Sequence, residues 1–211
     1  MKMLLISACL LVLTLGCRKT PDLDELSTKP LVGTAQDKAT NFSSYKTYFV
    51  SDTVAYLSDT SEDTILVGAT ALKLVTAFKD NMASRGYTFV QKNQKPNLGV
   101  RLGVVKDLNV GVYYPGYWDG YYWYWPPYYW GYPNWGYYYP FSVAYAYTTG
   151  TVISSMIDLK NPVITDNKKE LKVLWNSVIA GALGDNPDAN VQAGVDGINQ
   201  AFSQSPYIKT N

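Results

Sequence analysis

The sequence predicts an α+β fold, a mostly antiparallel sheet with two amphipathic helices packed on one face and a Tyr/Trp-rich loop inserted between strands. Three observations predict it. Two segments place apolar residues at helical spacing, several others alternate or concentrate β-branched and aromatic residues, and the two kinds follow one another as strand, helix, several strands, helix. At 211 residues and 47% hydrophobic, the chain can bury one sizeable core.

The first element is an address. Lys2 gives a positive start, Leu4 to Leu15 form an apolar run, and Gly16-Cys17 closes it before Arg18 and Lys19. A run of about 12 residues is short of the roughly 20 that a helix needs to span a bilayer, so residues 1–16 read as a cleaved signal peptide. The pattern resembles bacterial lipoprotein signals, in which a small residue precedes a cysteine that receives diacylglyceryl and acyl chains such as palmitate. That resemblance implies lipidation at Cys17 and an N-terminal membrane anchor. Ile6-Ser7-Ala8-Cys9 looks closer to the usual box but leaves only Leu4 to Ile6 as an apolar region. An ordinary cleaved signal would instead leave Cys17 as a lone thiol in an oxidising compartment. Residues 17–30, with Asp22, Asp24, Glu25 and two prolines, read as a tether.

A single domain is expected over 31–207. Asn41 to Val50 is rich in strand formers. From about Thr64 to Arg85, Ala71, Leu74, Val75, Phe78 and Met82 share one helical face, and Gly86 supplies the stop. Tyr87 to Val90 reads as a short strand and Lys92 to Asn97 as a turn. Leu98, Val100, Leu102 and Val104 then alternate with Gly99, Arg101 and Gly103 as in a half-buried strand. A further β stretch runs through Val110 and Val112. Val143 to Leu159 and Leu171 to Leu183 are expected to pair antiparallel through the turn residues Asn161-Pro162 and Asp166-Asn167. Asn186-Pro187 opens the last helix, whose apolar positions are Val191, Val195, Ile198 and Phe202. Gly194 and Gly197 weaken it by about 1 kcal/mol each relative to Ala, so packing on the sheet has to hold it.

Asn41-Phe42-Ser43-Ser44-Tyr45-Lys46-Thr47-Tyr48, Gly150-Thr151-Val152, Ile157-Asp158 and Leu171 to Trp175 with Ala180-Gly181 together resemble the bacterial lipoproteins grouped as domain of unknown function 4136. That family usually has Asp where Asn41 stands and Arg where Asn176 stands. The resemblance covers roughly residues 31–207. It implies an envelope lipoprotein and transfers no catalytic residue.

The insertion at 113–140 is distinctive. Tyr113 to Tyr139 holds 12 Tyr, 5 Trp, 4 Pro, 4 Gly, Asp119 and Asn134, with no Leu, Ile, Val or Phe. Tyr and Trp carry polar tips and favour places wet on one side, while the prolines and glycines exclude a long helix. Seventeen such rings amount to roughly 3,000 Å², so some must stack on one another or on the sheet. A low-complexity insert in a tolerant loop is one account of this composition. The functional account is contact with a glycan, a protein, another copy of the chain or a bilayer interface, through Tyr117, Trp118, Tyr121, Trp123, Trp125, Trp130 and Trp135. An insert without aliphatics is expected to add little to the core.

Composition excludes several chemistries. With no His, Ser-His-Asp and Cys-His catalysis and His-ligated zinc are absent. A net charge of +1 and an aromatic segment without Lys or Arg argue against nucleic acid. The scattered carboxylates show no metal-ligand spacing, and no cofactor is expected. Asp107, Asp119, Asp158 and Asp166 form no recognised pair, so glycan hydrolysis through a carboxylate such as Asp119 is the alternative reading. The preferred one is a non-catalytic lipoprotein of the bacterial cell envelope, lipid-anchored at the outer membrane and displaying an aromatic loop.

Overall fold

A computed structural model of the chain describes residues 30–57, 65–105, 110–113, 125–142, 145–147, 150–165, 168–181 and 187–210. The expected signal peptide, Cys17 and all of the expected tether but Pro30 lie outside these residues. The described chain runs β1 (Leu31–Gln36), β2 (Thr47–Val50), β3 (Val54–Leu57), β4 (Ile65–Leu66), α1 (Ala69–Ser84), β5 (Thr88–Phe89), β6 (Leu98–Val105), β7 (Val110–Tyr113), β8 (Gly136–Tyr138), β9 (Tyr145–Tyr147), β10 (Val152–Asp158), β11 (Val163–Thr165), β12 (Lys168–Ala180) and α2 (Pro187–Ser203).

The main sheet has the order β1-β12-β10-β6-β2-β5, with β3 beside β6 and both β8 and β11 beside β12, while β7 and β9 form a separate pair. It is mixed. Along β1-β12-β10-β6 each strand is antiparallel to its neighbour, but β2 and β3 run parallel to β6, β5 parallel to β2, and β8 parallel to β12. Between β2 and β5 the chain crosses over through α1, and a helical crossover returns the next strand in the same direction.

Helix α1 starts at Ala69 because Ile65 and Leu66 pair with β3 instead, and it ends where Gly86 adopts φ 86°. Its stripe of Ala71, Leu74, Val75, Phe78 and Met82 is buried with Ile198 and Phe202 of α2 against Leu98, Val100, Leu102, Met156, Trp175 and Ile179 of the sheet. The rings of Phe78 and Phe202 sit 4.9 Å apart, and Trp175 lies 5.5 Å from Phe202. Of the two glycines that disfavour α2 as an isolated helix, Gly197 is the one that its docking requires. A Cβ at Gly197 would stand 2.3 Å from Ile179 Cγ2, and one at Gly194 2.9 Å from Leu74 Cδ2.

The Asn41 to Tyr48 motif holds the fold. Asn41 Oδ1 accepts the Ser43 backbone N–H and caps a 3-10 turn over Phe42–Ser44, Phe42 enters the core, and Tyr87 Oη donates to the Phe42 carbonyl. Tyr45 Oη donates to Asp158 Oδ2 at 2.6 Å, while Asp158 Oδ1 accepts the backbone N–H groups of Lys160 and Asn161. Burial first, and then the facing carboxylate of Asp158, push the Tyr45 hydroxyl well above its ordinary pKa.

Candidate functional site

Helices cover one face of the sheet, and the described part of the aromatic segment covers the other over Ile157, Leu171 and Val173. β6 is therefore buried on both sides rather than half-buried. Leu98, Val100 and Leu102 meet the helices, while Gly99, Arg101 and Gly103 alternate with them on the opposite face. The bulge in β12 between its pairings with Met156 and Ile157 changes which residues face outward. Trp175 joins the helical core, whereas Val173 and Leu171 join Ile157 under the aromatic rings.

Local sequence sets the layer. Pro126-Pro127 opens a 3-10 turn over Pro127–Trp130, because Pro fixes φ where a turn begins, and Gly131 closes it at φ 93°. The turn sends successive rings in different directions. Trp130 goes inward to lie against Gly99, where a Cβ would come within 3.0 Å of the indole, and it meets Phe49 edge-on at 6.3 Å. Tyr129 packs on Trp125 at 4.2 Å and Trp130 at 4.9 Å. Tyr128 points out and is 68% exposed.

The polar tips are satisfied within the layer. Trp130 Nε1 donates to Tyr137 Oη at 2.8 Å, Tyr137 Oη donates to the Trp125 carbonyl at 2.5 Å, and Tyr132 Oη donates to the Leu159 carbonyl at 3.1 Å. β8 then ties the segment to β12, Tyr137 opposite Leu171. Beneath the rings, the fully buried Arg101 donates through Nη2 to Tyr139 Oη at 2.7 Å, and its guanidinium lies 4.1 Å from the Tyr137 ring centroid. Ser155 sits beside Arg101 in register and donates to Asn176 Oδ1 at 2.8 Å, so the row that carries Asn176 also carries a guanidinium, on β6.

Of the residues singled out from sequence, Trp125 and Trp130 are 5% and 9% exposed, which corrects the expectation that they face a ligand. The expectation that an insert without aliphatics adds little to the core is corrected as well for residues 125–141. Rings whose N–H and O–H groups bond to one another behave as core side chains. Trp135 is half-buried and meets Tyr132 edge-on at 5.0 Å. Tyr117, Trp118, Tyr121 and Trp123 lie outside the described residues, as do Asp107, Asp119 and Asp166. Sequence reasoning missed Tyr128, Tyr132 and Lys92, whose ammonium stands 3.8 Å from the Tyr129 centroid; Lys92 comes from a turn far away in the chain, with no signal in its own neighbourhood. Asp158 is fully engaged by Tyr45, Lys160 and Asn161, a strand-end role. Among the described residues no group of His, Cys, Asp and Glu gathers that could hold a metal ion, and no helix is long and apolar enough to cross a membrane.

An α+β domain with helices on one sheet face and a hydrogen-bonded Tyr/Trp layer on the other is thus the class of protein at hand. The chain belongs to the family described as domain of unknown function (DUF4136), whose model matches residues 32–207. A crystal structure of a DUF4136 family protein from Bacteroides thetaiotaomicron is similar at 33% identity and TM-score 0.74, covering 87% of this chain and 99% of that one. A PelC dodecamer structure from Paraburkholderia phytofirmans aligns over 86% of this chain and 99% of that one, at 13% identity and TM-score 0.39. No curated protein matches.

Proposed function

We propose that the protein is a non-catalytic cell-envelope lipoprotein, anchored through acylated Cys17 at the outer membrane, whose aromatic layer presents a surface for glycan contact. The observation that carries the glycan part is the outer side of the layer. Tyr128 stands exposed and the Tyr132–Trp135 pair half-exposed, above rings fixed to the sheet by the Trp130–Tyr137–Trp125 hydrogen bonds. Rings held in place before binding lose little freedom when a sugar stacks on them, and preorganisation of this kind favours affinity. Each stack contributes about 0.5 to 1.5 kcal/mol beyond area burial, so three rings add about 1.5 to 4.5 kcal/mol, which by itself supports binding no tighter than about the millimolar range.

Two experiments test the two halves. Labelled fatty acid should enter the wild-type chain and not Cys17→Ala; label in the variant would remove the anchor from the proposal. Pull-down on peptidoglycan and on surface polysaccharide should retain the wild type and lose the Tyr128→Ala/Trp135→Ala double variant. Equal retention of both would remove the aromatic surface from it, and retention of a protein in place of either polymer would replace the glycan.

A further inference from the structure

Resting on the glycan reading above, we infer that the ligand of this surface is an acidic polysaccharide, stacked on Tyr128, Tyr132 and Trp135 with its carboxylates directed to Lys92 and Lys95. The turn Gln91-Lys92-Asn93-Gln94-Lys95 is exposed throughout and carries two lysines, three amides and no carboxylate. It is held rigid. Gln94 Oε1 accepts the Gln91 backbone N–H at 2.7 Å, the Gln91 side chain accepts the backbone N–H of Gln94, and Lys95 takes the left-handed conformation at φ 54°. The Lys92–Tyr129 contact at 3.8 Å joins this turn to the aromatic layer, one residue from the exposed Tyr128. Stacking tolerates any sugar that offers an apolar face, so the rings alone do not select charge. An ammonium group beside them, as Lys92 is, does so through charge-assisted hydrogen bonds to a carboxylate, and Lys95 adds a second charge on the same exposed turn. The described carboxylates at this end of the sheet are engaged elsewhere: Asp158 is buried, Asp37 pairs with Lys172 at 3.3 Å, and Glu170 lies 3.9 Å from Lys168.

The first described strand and the aromatic layer lie at opposite ends of β12. Leu31, where the tether ends, pairs with Ala180, whereas the aromatic layer covers Leu171 and Val173. Leu171 lies nine positions before Ala180 on β12, about 30 Å away at roughly 3.3 Å per residue.

The test holds the acylated full-length protein in nanodiscs and measures its binding to polygalacturonate and to the fully methyl-esterified polymer, which keeps the backbone and removes the charge. The wild type should bind polygalacturonate at least tenfold more tightly, with an affinity that falls as salt rises. Lys92→Gln/Lys95→Gln should lose that preference while keeping the wild-type melting temperature and the affinity for the ester, and Trp135→Ala should weaken binding to both polymers. Equal binding of the two polymers by the wild type, or a preference that survives in the double-Lys variant, overturns the acidic ligand and leaves the glycan reading standing. No binding to either polymer overturns both. Capture of added phosphatidylglycerol vesicles in preference to polygalacturonate overturns the inference in favour of a lipid surface.

Discussion

Trp130→Ala measures how far the aromatic layer belongs to the core. The side chain is 9% exposed, lies on Gly99 and between Phe49 and Tyr129, and spends its N–H on Tyr137. Truncating a buried Trp costs about 3 to 5 kcal/mol. At roughly 2 to 4 °C per kcal/mol for a domain of this size, the melting temperature should fall by about 10 °C. Gly99→Ala probes the same contact from below. Its new methyl group would meet the indole at 3.0 Å and Leu159 Cδ1 at 3.1 Å, an overpacking worth about 1 to 3 kcal/mol. With the indole removed, half of that conflict disappears, so the double variant should be more stable than the two single losses predict by about 1 kcal/mol. Urea unfolding of the four proteins, read by circular dichroism, gives the coupling. A melting temperature within a degree of wild type for Trp130→Ala, or strict additivity in the cycle, would refute the claim that this ring is core.

Further outcomes follow from the other contacts. Phe78→Ala and Phe202→Ala, both fully buried, should each cost about 3 to 5 kcal/mol, and an unchanged melt would show the helical core misplaced. Gly197→Ala gains about 1 kcal/mol of helix propensity yet places a methyl group on the stiff, β-branched Ile179, so its melting temperature should drop. Gly194→Ala crowds the flexible end of Leu74 and touches Val152 at ordinary van der Waals distance, so it should be close to neutral; the reverse order would contradict the proposed docking of α2. Burial, with Asp80 adding to it, raises the Tyr48 hydroxyl from 10.0 to about 12. A folded-state pKa above the unfolded one means that this stability is complete below pH 10 and is lost as pH rises through 12. The urea midpoint should accordingly hold to about pH 9.5 and then decline, and a midpoint still flat at pH 11.5 would contradict the burial of this phenol.

The parts of this fold legible in the sequence are those set by local periodicity. Phe78, Met82, Ile198 and Phe202 announce both helices, Gly86 and Pro187 mark two of their ends, and β-branched residues with turn signals between them announce the β10 and β12 pair. Strand direction was not legible. Whether β2 runs with or against β6 depends on where α1 carries the chain, and no residue of β2 encodes that. β8 escaped notice because Gly136-Tyr137-Tyr138 carries no alternation of apolar and polar residues, its fit to a sheet coming instead from Leu171 across the strand. Gly99 held a readable hint, since a glycine inside an alternating strand often marks the close approach of another group, and that group is Trp130. Arg101 misled for the opposite reason. A charge on a strand suggests a solvent face, and only Tyr137 and Tyr139, arriving from elsewhere in the chain, cover it. The aromatic composition pointed to the right segment but not to the right rings, because burial of Trp130 and exposure of Tyr128 are decided by the turn that Pro127 and Gly131 create.

The central claim is that fixed rings on the outer side of the layer bind a glycan in the envelope. It is tested most directly by purifying the full-length protein from the cells that make it and analysing the carbohydrate that accompanies it, beside the Tyr128→Ala/Trp135→Ala variant matched for amount and melting temperature. The account predicts a defined polysaccharide with the wild type and at least a tenfold reduction of it with the variant. The same carbohydrate in the same amount on both proteins, or none on either, would contradict it.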